Sequence, residues 1–312
     1  MENNSLGFCQ SHEHLFIAEG QPAKVNPALK LDDFNKTLEE LRFYKRAGGM
    51  SLVDAQPVGC GRMADYLYAA SVESGINIIA STGFQKLIFY PENHWIYTFS
   101  EEQLADIFIA ELTAGMYVNA DNGIPKQTIG SLAGVIKTAS DKDGITGKYK
   151  TLFAAAAKAS VSTGTPVISH TEMGTGGLEQ AELFLSSGIP ADSIILCHLD
   201  RNLGKREQCT SVAEKGVFLE FDTIGRDKYH SDEDEMRFLA EMVSKGFEDR
   251  ILLGLDTTRD RFKSYGGGLG LDFLMQSFLP RLRQYGLGEE TIEKFMIKNP
   301  AKAFSKYGIK NQ

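Results

Sequence analysis

The chain has 312 residues, a formal net charge of −8 and a hydrophobic fraction of 42%, with a mean hydropathy of −0.21. The acidic balance argues against sequence-independent binding to nucleic acid, and no apolar run reaches the roughly 18 to 20 residues that cross a bilayer. Met1-Glu2-Asn3-Asn4-Ser5 has neither the basic nor the apolar stretch of a secretion signal, and Cys9, Cys60, Cys197 and Cys209 show no CxxC spacing, which points to a reducing, cytoplasmic setting.

Strand and helix signals alternate along the whole chain. The run Gly7 to His14 reads as the first strand. Phe34, Leu38, Leu41 and Tyr44 then recur at helical spacing, with Gly48-Gly49 as a stop. Ser51 to Ala55 reads as strand, Met63 to Ser74 as helix and Ile76 to Thr82 as strand. After an irregular segment with Pro91 and Trp95, Ser100 and Gln103 match a capping box for a helix over Glu101 to Met116. Leu132 to Lys137 is the fourth strand. The alanine-rich stretch Tyr149 to Ser162 is helix, and Pro166 to His170 the fifth strand. Helix Leu178 to Ser187 precedes strand Ser193 to His198, and helix Lys205 to Lys215 precedes strand Val217 to Asp222. Ser231 caps a helix over Glu233 to Lys245, and Arg250 to Asp256 is the eighth strand. Helical patterns over Leu271 to Tyr285 and Glu289 to Lys298 follow.

Eight strands alternating with helices, with no linker or repeat, predict an α/β fold: a closed (β/α)8 TIM barrel forming a single domain over residues 1–312. An open doubly wound sheet would carry a glycine-rich phosphate turn after its first strand. Here His12-Glu13-His14 stands in that place.

Polar side chains recur at or just past the ends of these strands: His12, His14, Lys137, His170, His198 and Asp256. Active sites of such barrels form at the C-terminal rim, and imidazoles gathered with carboxylates are metal ligands. Strict alternation predicts that His12 and His14 share a face with Gln10 while Glu13 points away, and that Lys137, His170, His198 and Asp256 face inward with Cys197 and Leu255 outward. A lone His-x-His is commonly a surface or core pair. Four histidines and an aspartate at equivalent strand ends are not explained that way. Lys137 is the odd member, because an ammonium is repelled by divalent cations and a buried lysine tends to lose its proton. A neutral amine can add carbon dioxide to give a carbamate, whose two oxygens can bridge two metals.

Seven segments together resemble the phosphotriesterase-related branch of the amidohydrolase superfamily. They are Gln10-Ser11-His12-Glu13-His14-Leu15, Ala133 to Lys137, Ser169-His170-Thr171, Gly174 to Gln180, Cys197-His198-Leu199-Asp200, Phe221 to Gly225 and Leu255-Asp256, with Asn299-Pro300-Ala301 near the end. The resemblance implies an enzyme with two divalent metal ions, usually zinc. His12, His14 and Asp256 would bind the buried ion and His170 and His198 the exposed one. Lys137, as N6-carboxylysine, would bridge them together with a hydroxide. Such a pair lowers the pKa of bound water to roughly 7. Asp256 would take the proton as the hydroxide attacks. Dimers are common in the family, so a homodimer is a further expectation.

The loops after the seventh and eighth strands carry Arg226-Asp227-Lys228-Tyr229 and Arg259-Asp260-Arg261, in a place where barrels often hold phosphate. They resemble the subgroup that opens phosphorylated aldono-lactones, which implies Lys228 and Arg259 as substrate-binding residues and a small lactone or ester, such as a phosphorylated pentonolactone, as substrate. Phe262 stands where that subgroup has a tyrosine, with Tyr265 nearby as a substitute hydroxyl, and Gln85 stands where many lactonases carry an aromatic residue. The competing readings on the same metals are an organophosphate triesterase, whose pocket is large and apolar, and an acyl-homoserine lactonase, which needs an apolar groove from the last loop. Here that segment, Gly266 to Gly270, is polar and glycine-rich. A non-catalytic metal-binding homologue is the reading from another class, although all six expected ligands are present. No glycine fingerprint supports a nicotinamide enzyme, and an oxygen-using iron enzyme needs fewer ligands.

Overall fold

In the computed structural model, which describes residues 6–308, short branched-apolar runs form eight parallel strands. They are β1 (Cys9–Glu13), β2 (Ser51–Asp54), β3 (Asn77–Gly83), β4 (Val135–Ala139), β5 (Val167–His170), β6 (Ile194–Cys197), β7 (Phe218–Phe221) and β8 (Ile251–Leu253). Each pairs with the next in chain order, and helices link them on the outside, so the sheet is a near-closed (β/α)8 barrel in one α/β domain. The segment Met1-Glu2-Asn3-Asn4-Ser5 lies outside the described residues. Among those described, no helix is long and apolar enough to cross a membrane, and all four cysteines are buried and free.

The seam between β8 and β1 closes with side chains as well as backbone. The Asp256 N–H donates to the His12 carbonyl at 2.9 Å, the Ser11 hydroxyl to the Leu253 carbonyl at 2.9 Å, and the Leu255 N–H to the Glu13 carboxylate at 2.9 Å. Gly254 makes this approach possible: a Cβ there would lie 2.9 Å from both the Cβ and the backbone nitrogen of His12. Any side chain would push β8 off β1.

Two buried apolar regions fill the structure. The larger packs the outer faces of the strands against the helices, and includes Leu52, Ile136, Val167, Leu196, Leu219 and Leu253. The smaller fills the barrel interior toward its N-terminal end with Cys9, Val53, Ile79, Val135, Ile168, Ile195, Phe218 and Leu252. Period-2 alternation sorts one set from the other.

Most expected elements form with boundaries shifted by one or two residues. The capping box at Ser100 and Gln103 is present in both directions, but its helix ends at Thr113 rather than Met116. Gly115, at φ 150°, turns the chain into a small hairpin of Tyr117–Val118 with Gln127–Thr128. The fourth strand begins at Val135, which makes Lys137 its middle residue rather than its end. The eighth strand is shorter than expected because Gly254 and the seam interrupt its pairing. After it, the helices over 271–285 and 289–298 each contain a π turn, Leu274–Phe278 and Lys294–Lys298. Pro280 and Pro300 follow these turns. A proline has no N–H and its ring clashes with the carbonyl four residues back, and a widened turn relieves both problems.

Candidate metal centre at the C-terminal rim

β1 does not alternate regularly. Its pairing register with β2 shifts between Gln10 and Glu13, and such a bulge re-aims side chains. Gln10 therefore turns outward, donating to the Leu271 carbonyl at 2.7 Å. The expectation that it shares a face with His12 is corrected by the bulge. Glu13 turns to the seam, accepting from Leu255 and from the Thr257 hydroxyl at 2.6 Å.

A second departure occurs at β6. His198 has φ 64°, in the left-handed region, which is uncommon for a residue with a Cβ. Cys197 faces inward beside Glu220, and the turn at His198 brings that ring inward as well. Cys197 was expected to face outward, and this break in alternation is why it does not. Asp256 also has a positive φ, 47°, while Leu255 packs outward as expected. Left-handed residues at strand ends are a recognised mark of functional sites.

These turns gather the predicted residues. Ring centroids lie 5.6 Å apart for His12 and His14, 5.0 Å for His12 and His198, and 4.4 Å for His170 and His198. Asp256 Oδ1 is 3.3 Å from His14 Nε2 and 3.7 Å from His12 Nε2. Lys137 is fully buried, with Nζ 3.4 Å from His12 Nε2. No carboxylate lies within ion-pair distance of it among the described residues. Gly83 is what allows β3 to run beside it, since a Cβ there would meet the Lys137 carbonyl oxygen at 2.0 Å.

The donor atoms of His12, His14 and Asp256 lie within 4.8 Å of one another, and so do those of His198, Asp222 and Asp256. Two clusters that meet at Asp256 fit a binuclear metal site, with Asp222 in the second reaching the Nδ1 of His198 and so standing behind that ring rather than among the ligands. The electrostatics agree. Burial first, and then the nearby lysine and arginine charges, hold His12 and His198 well below the usual imidazole range, and burial lowers His170 to about 4. All three are thus neutral near pH 7, the form that binds metal. Burial alone would raise Asp256, yet Arg226 and Arg201 hold it well below the carboxylate range.

Both arginines are additions that the metal-ligand pattern does not reveal. Arg201 pairs with Asp256 Oδ2, and Arg226 Nη2 is 3.0 Å from the same oxygen. They follow β6 and β7 closely, but nothing in a single charged loop residue announces an inward turn. Glu172 was likewise missed. It accepts from Lys86 Nζ at 2.7 Å and lies 3.2 Å from His170 Nε2, and the His170 contact helps lower it to about 2. On β7, Glu220 and Asp222 also face the centre. Their signal is visible in retrospect: two acids spaced by two in a strand that is otherwise apolar.

A cavity of about 250 Å³ opens onto the site, lined by His12, His14, His170, His198 and Asp256 together with Gln85, Lys86, Glu172, Arg201, Arg226 and Tyr229. Lys228 and Arg259 are exposed and do not line it. The Lys228 ammonium lies over the Tyr229 ring and the Arg259 guanidinium over Tyr265. Phe262 is fully buried, and the Tyr265 hydroxyl is engaged by the backbone of Asp33 and by Thr37 at 3.0 Å. It is therefore committed elsewhere and does not replace the missing tyrosine hydroxyl.

The phosphotriesterase family model matches residues 1–304. A phospho-furanose lactonase of Mycoplasmopsis synoviae is 28% identical, over 96% of this chain and 88% of its own length. The structure of a lactonase from Listeria monocytogenes superposes with a TM-score of 0.88 at 29% identity, covering 97% of this chain and 96% of that one. The phosphotriesterase homology protein from Escherichia coli, solved with phosphate in its active site, gives a TM-score of 0.86 at 28% identity, covering 96% and 99%. With this barrel, and with these donors at its rim, the chain belongs to the phosphotriesterase family of the amidohydrolase superfamily, as a metal-dependent hydrolase acting on ester-type bonds.

Proposed function

We propose that the protein is a lactonase that opens a sugar lactone, an aldono-lactone of pentose size that carries a phosphate. The observation that carries this reading is the composition of the cavity. Metal donors line it beside three cations, Arg201 and Arg226 paired with Asp256 and Lys86 paired with Glu172, and this mostly polar cavity of about 250 Å³ suits a small polar substrate. The name of the Mycoplasmopsis relative and the phosphate in the Escherichia coli structure support the same substrate class.

In this reading His12, His14 and Asp256 would hold one divalent ion, zinc in our proposal, His170 and His198 would hold the other, and Lys137, as N6-carboxylysine, would be a ligand to both. Its buried amine beside His12 Nε2, without a carboxylate partner, suits a carbamate that supplies the anionic oxygens which imidazoles lack. Two divalent ions bound there would supply a hydroxide near neutral pH and a Lewis acid for the scissile carbonyl. Asp256, kept ionised by Arg201 and Arg226, takes the proton of the hydroxide as it attacks. The acyl–oxygen bond of the ring breaks, and Asp256 returns that proton to the leaving ring oxygen. Lys228 and Arg259 are neighbours of Tyr229 and Thr258, which line the cavity. From there we assign them to the phosphate at the cavity mouth, while Arg226 faces the lactone. In the same reading the enzyme works in the cytoplasm as a homodimer.

A panel of pentonolactones with and without a 5-phosphate tests the substrate. Phosphorylated members should have the higher kcat/KM, and Lys228→Ala and Arg259→Ala should raise KM for those members alone. Equal rates on both sets, unaffected by these substitutions, reject the phosphate.

A further inference from the structure

β7 gives neither proposed ion a ligand of its own, yet it places two acids inside the barrel. Phe218, Glu220 and Asp222 alternate inward, and both carboxylates are 0% exposed. Glu220 sits directly above the apolar layer of Cys9, Ile195 and Phe218, where burying a charge is expensive unless it is paired. Its side-chain partner is His12, a neutral imidazole whose Nδ1 lies 2.6 Å from Oε2 in a hydrogen bond. Asp222 does the same for His198. Its Oδ1 is 2.6 Å from Nδ1, and its other oxygen accepts the His198 backbone N–H at 3.1 Å.

The geometry fixes what each pair does. A carboxylate on Nδ1 makes that nitrogen the donor and leaves the lone pair on Nε2. His12 Nε2 faces Lys137 and Asp256, at 3.4 and 3.7 Å. Outer carboxylates of this kind fix ring orientation and raise ligand basicity. His12 belongs to one proposed ion and His198 to the other; Asp222 Oδ2 also lies 3.7 Å from His12 Nδ1, against 2.6 Å for Glu220, so Glu220 acts on one ion alone while Asp222 acts mainly on the other.

We infer that Glu220 is a positioning residue that sets the affinity of the ion held by His12, His14 and Asp256, while Asp222 acts chiefly on that of the ion held by His170 and His198. This rests on the binuclear reading above. The test titrates metal-free wild type, Glu220→Ala, Glu220→Gln and Asp222→Asn with zinc and with cobalt against a competing chelator, recording cobalt absorption for each site. Wild type should bind two ions. Glu220→Ala should weaken one by about 10- to 100-fold and leave the other near its wild-type value. Glu220→Gln, which keeps the shape and a carbonyl acceptor, should weaken that same ion less and retain the wild-type melting temperature without metal. Asp222→Asn should shift the other ion. If Glu220→Ala does not fold, the Gln variant decides alone: no change in either ion, or an equal change in both, overturns the inference. A wild-type protein that fails to take two ions sinks the binuclear reading instead.

Discussion

Along each barrel strand the structure changes character between its lower and upper halves. The lower interior is Val53, Ile79, Val135, Ile168, Ile195, Phe218 and Leu252, buried and without a polar side chain to satisfy. One pleat higher, the same strands present Lys137, His170, Glu220 and Asp222, all buried and all polar. Upper side chains include atoms with no hydrogen-bond partner, such as His14 Nδ1 and Glu220 Oε1. Close-packed apolar layers favour the fold, whereas buried polar groups cost free energy unless matched. Stability and chemistry are thus separated by about 7 Å along one strand, two residues of rise. The lower layer can stay rigid while the upper one holds charge, part of it offset by Arg201 and Arg226 on Asp256.

Substitutions on either side should therefore have opposite signatures. The largest effect is expected from Asp256→Asn. Turnover should fall by about 10²- to 10⁴-fold in a variant whose far-ultraviolet dichroism stays native; near-normal rates in a metallated variant would remove Asp256 from the reaction. Lys137→Met keeps the side chain's bulk but cannot carry a carbamate, so metal content by mass spectrometry should fall while far-ultraviolet dichroism stays native. Unaltered metal content would end the bridging role. In the lower layer Leu252→Ala should do the reverse. Unfolding free energy should drop by about 2–5 kcal/mol, with kcat retained below the melting transition; a loss of kcat without a loss of stability would show that the halves are not separable.

The smallest effect lies outside both halves. His94 is held down to about 4 by burial, and its Nδ1 accepts from the Ile96 N–H at 3.1 Å. Its folded pKa is below the unfolded value near 6.5, so between these values the unfolded chain binds more protons. Stability falls as pH drops through that window. At pH 5 the loss relative to pH 7.5 is about 2 kcal/mol. His94→Asn, which keeps a cap acceptor, should flatten this part of a stability profile measured by urea unfolding. An unchanged slope from pH 7.5 to 5 would remove His94 as its source.

The barrel was legible because its strands announce themselves by composition and its helices by spacing and caps. Ser100 with Gln103 and Ser231 both cap the helices expected of them. What was hidden depends on backbone turns that no residue type signals. His198 is neither glycine nor asparagine, yet it takes φ 64°, and a period-2 count through Cys197 therefore fails. The bulge in β1 misleads in the same way at Gln10. Arg201 and Arg226 turn inward while Lys228 stays on the surface. All three are long, flexible cations on loops, and the tertiary path decides which of them reaches the site. Glu220 was readable in principle, since an acid amid Phe218, Leu219 and Phe221 needs a partner.

The seam between β8 and β1 has a consequence for how the protein is made. His12 and His14 leave the ribosome first, but Asp256 and the glycine that lets its strand dock arrive only after most of the chain has been synthesised. Contacts so distant in sequence form late. Until then the two histidines have no carboxylate of the eighth strand beside them. The donor cluster of His12, His14 and Asp256 is complete only once translation has passed the eighth strand.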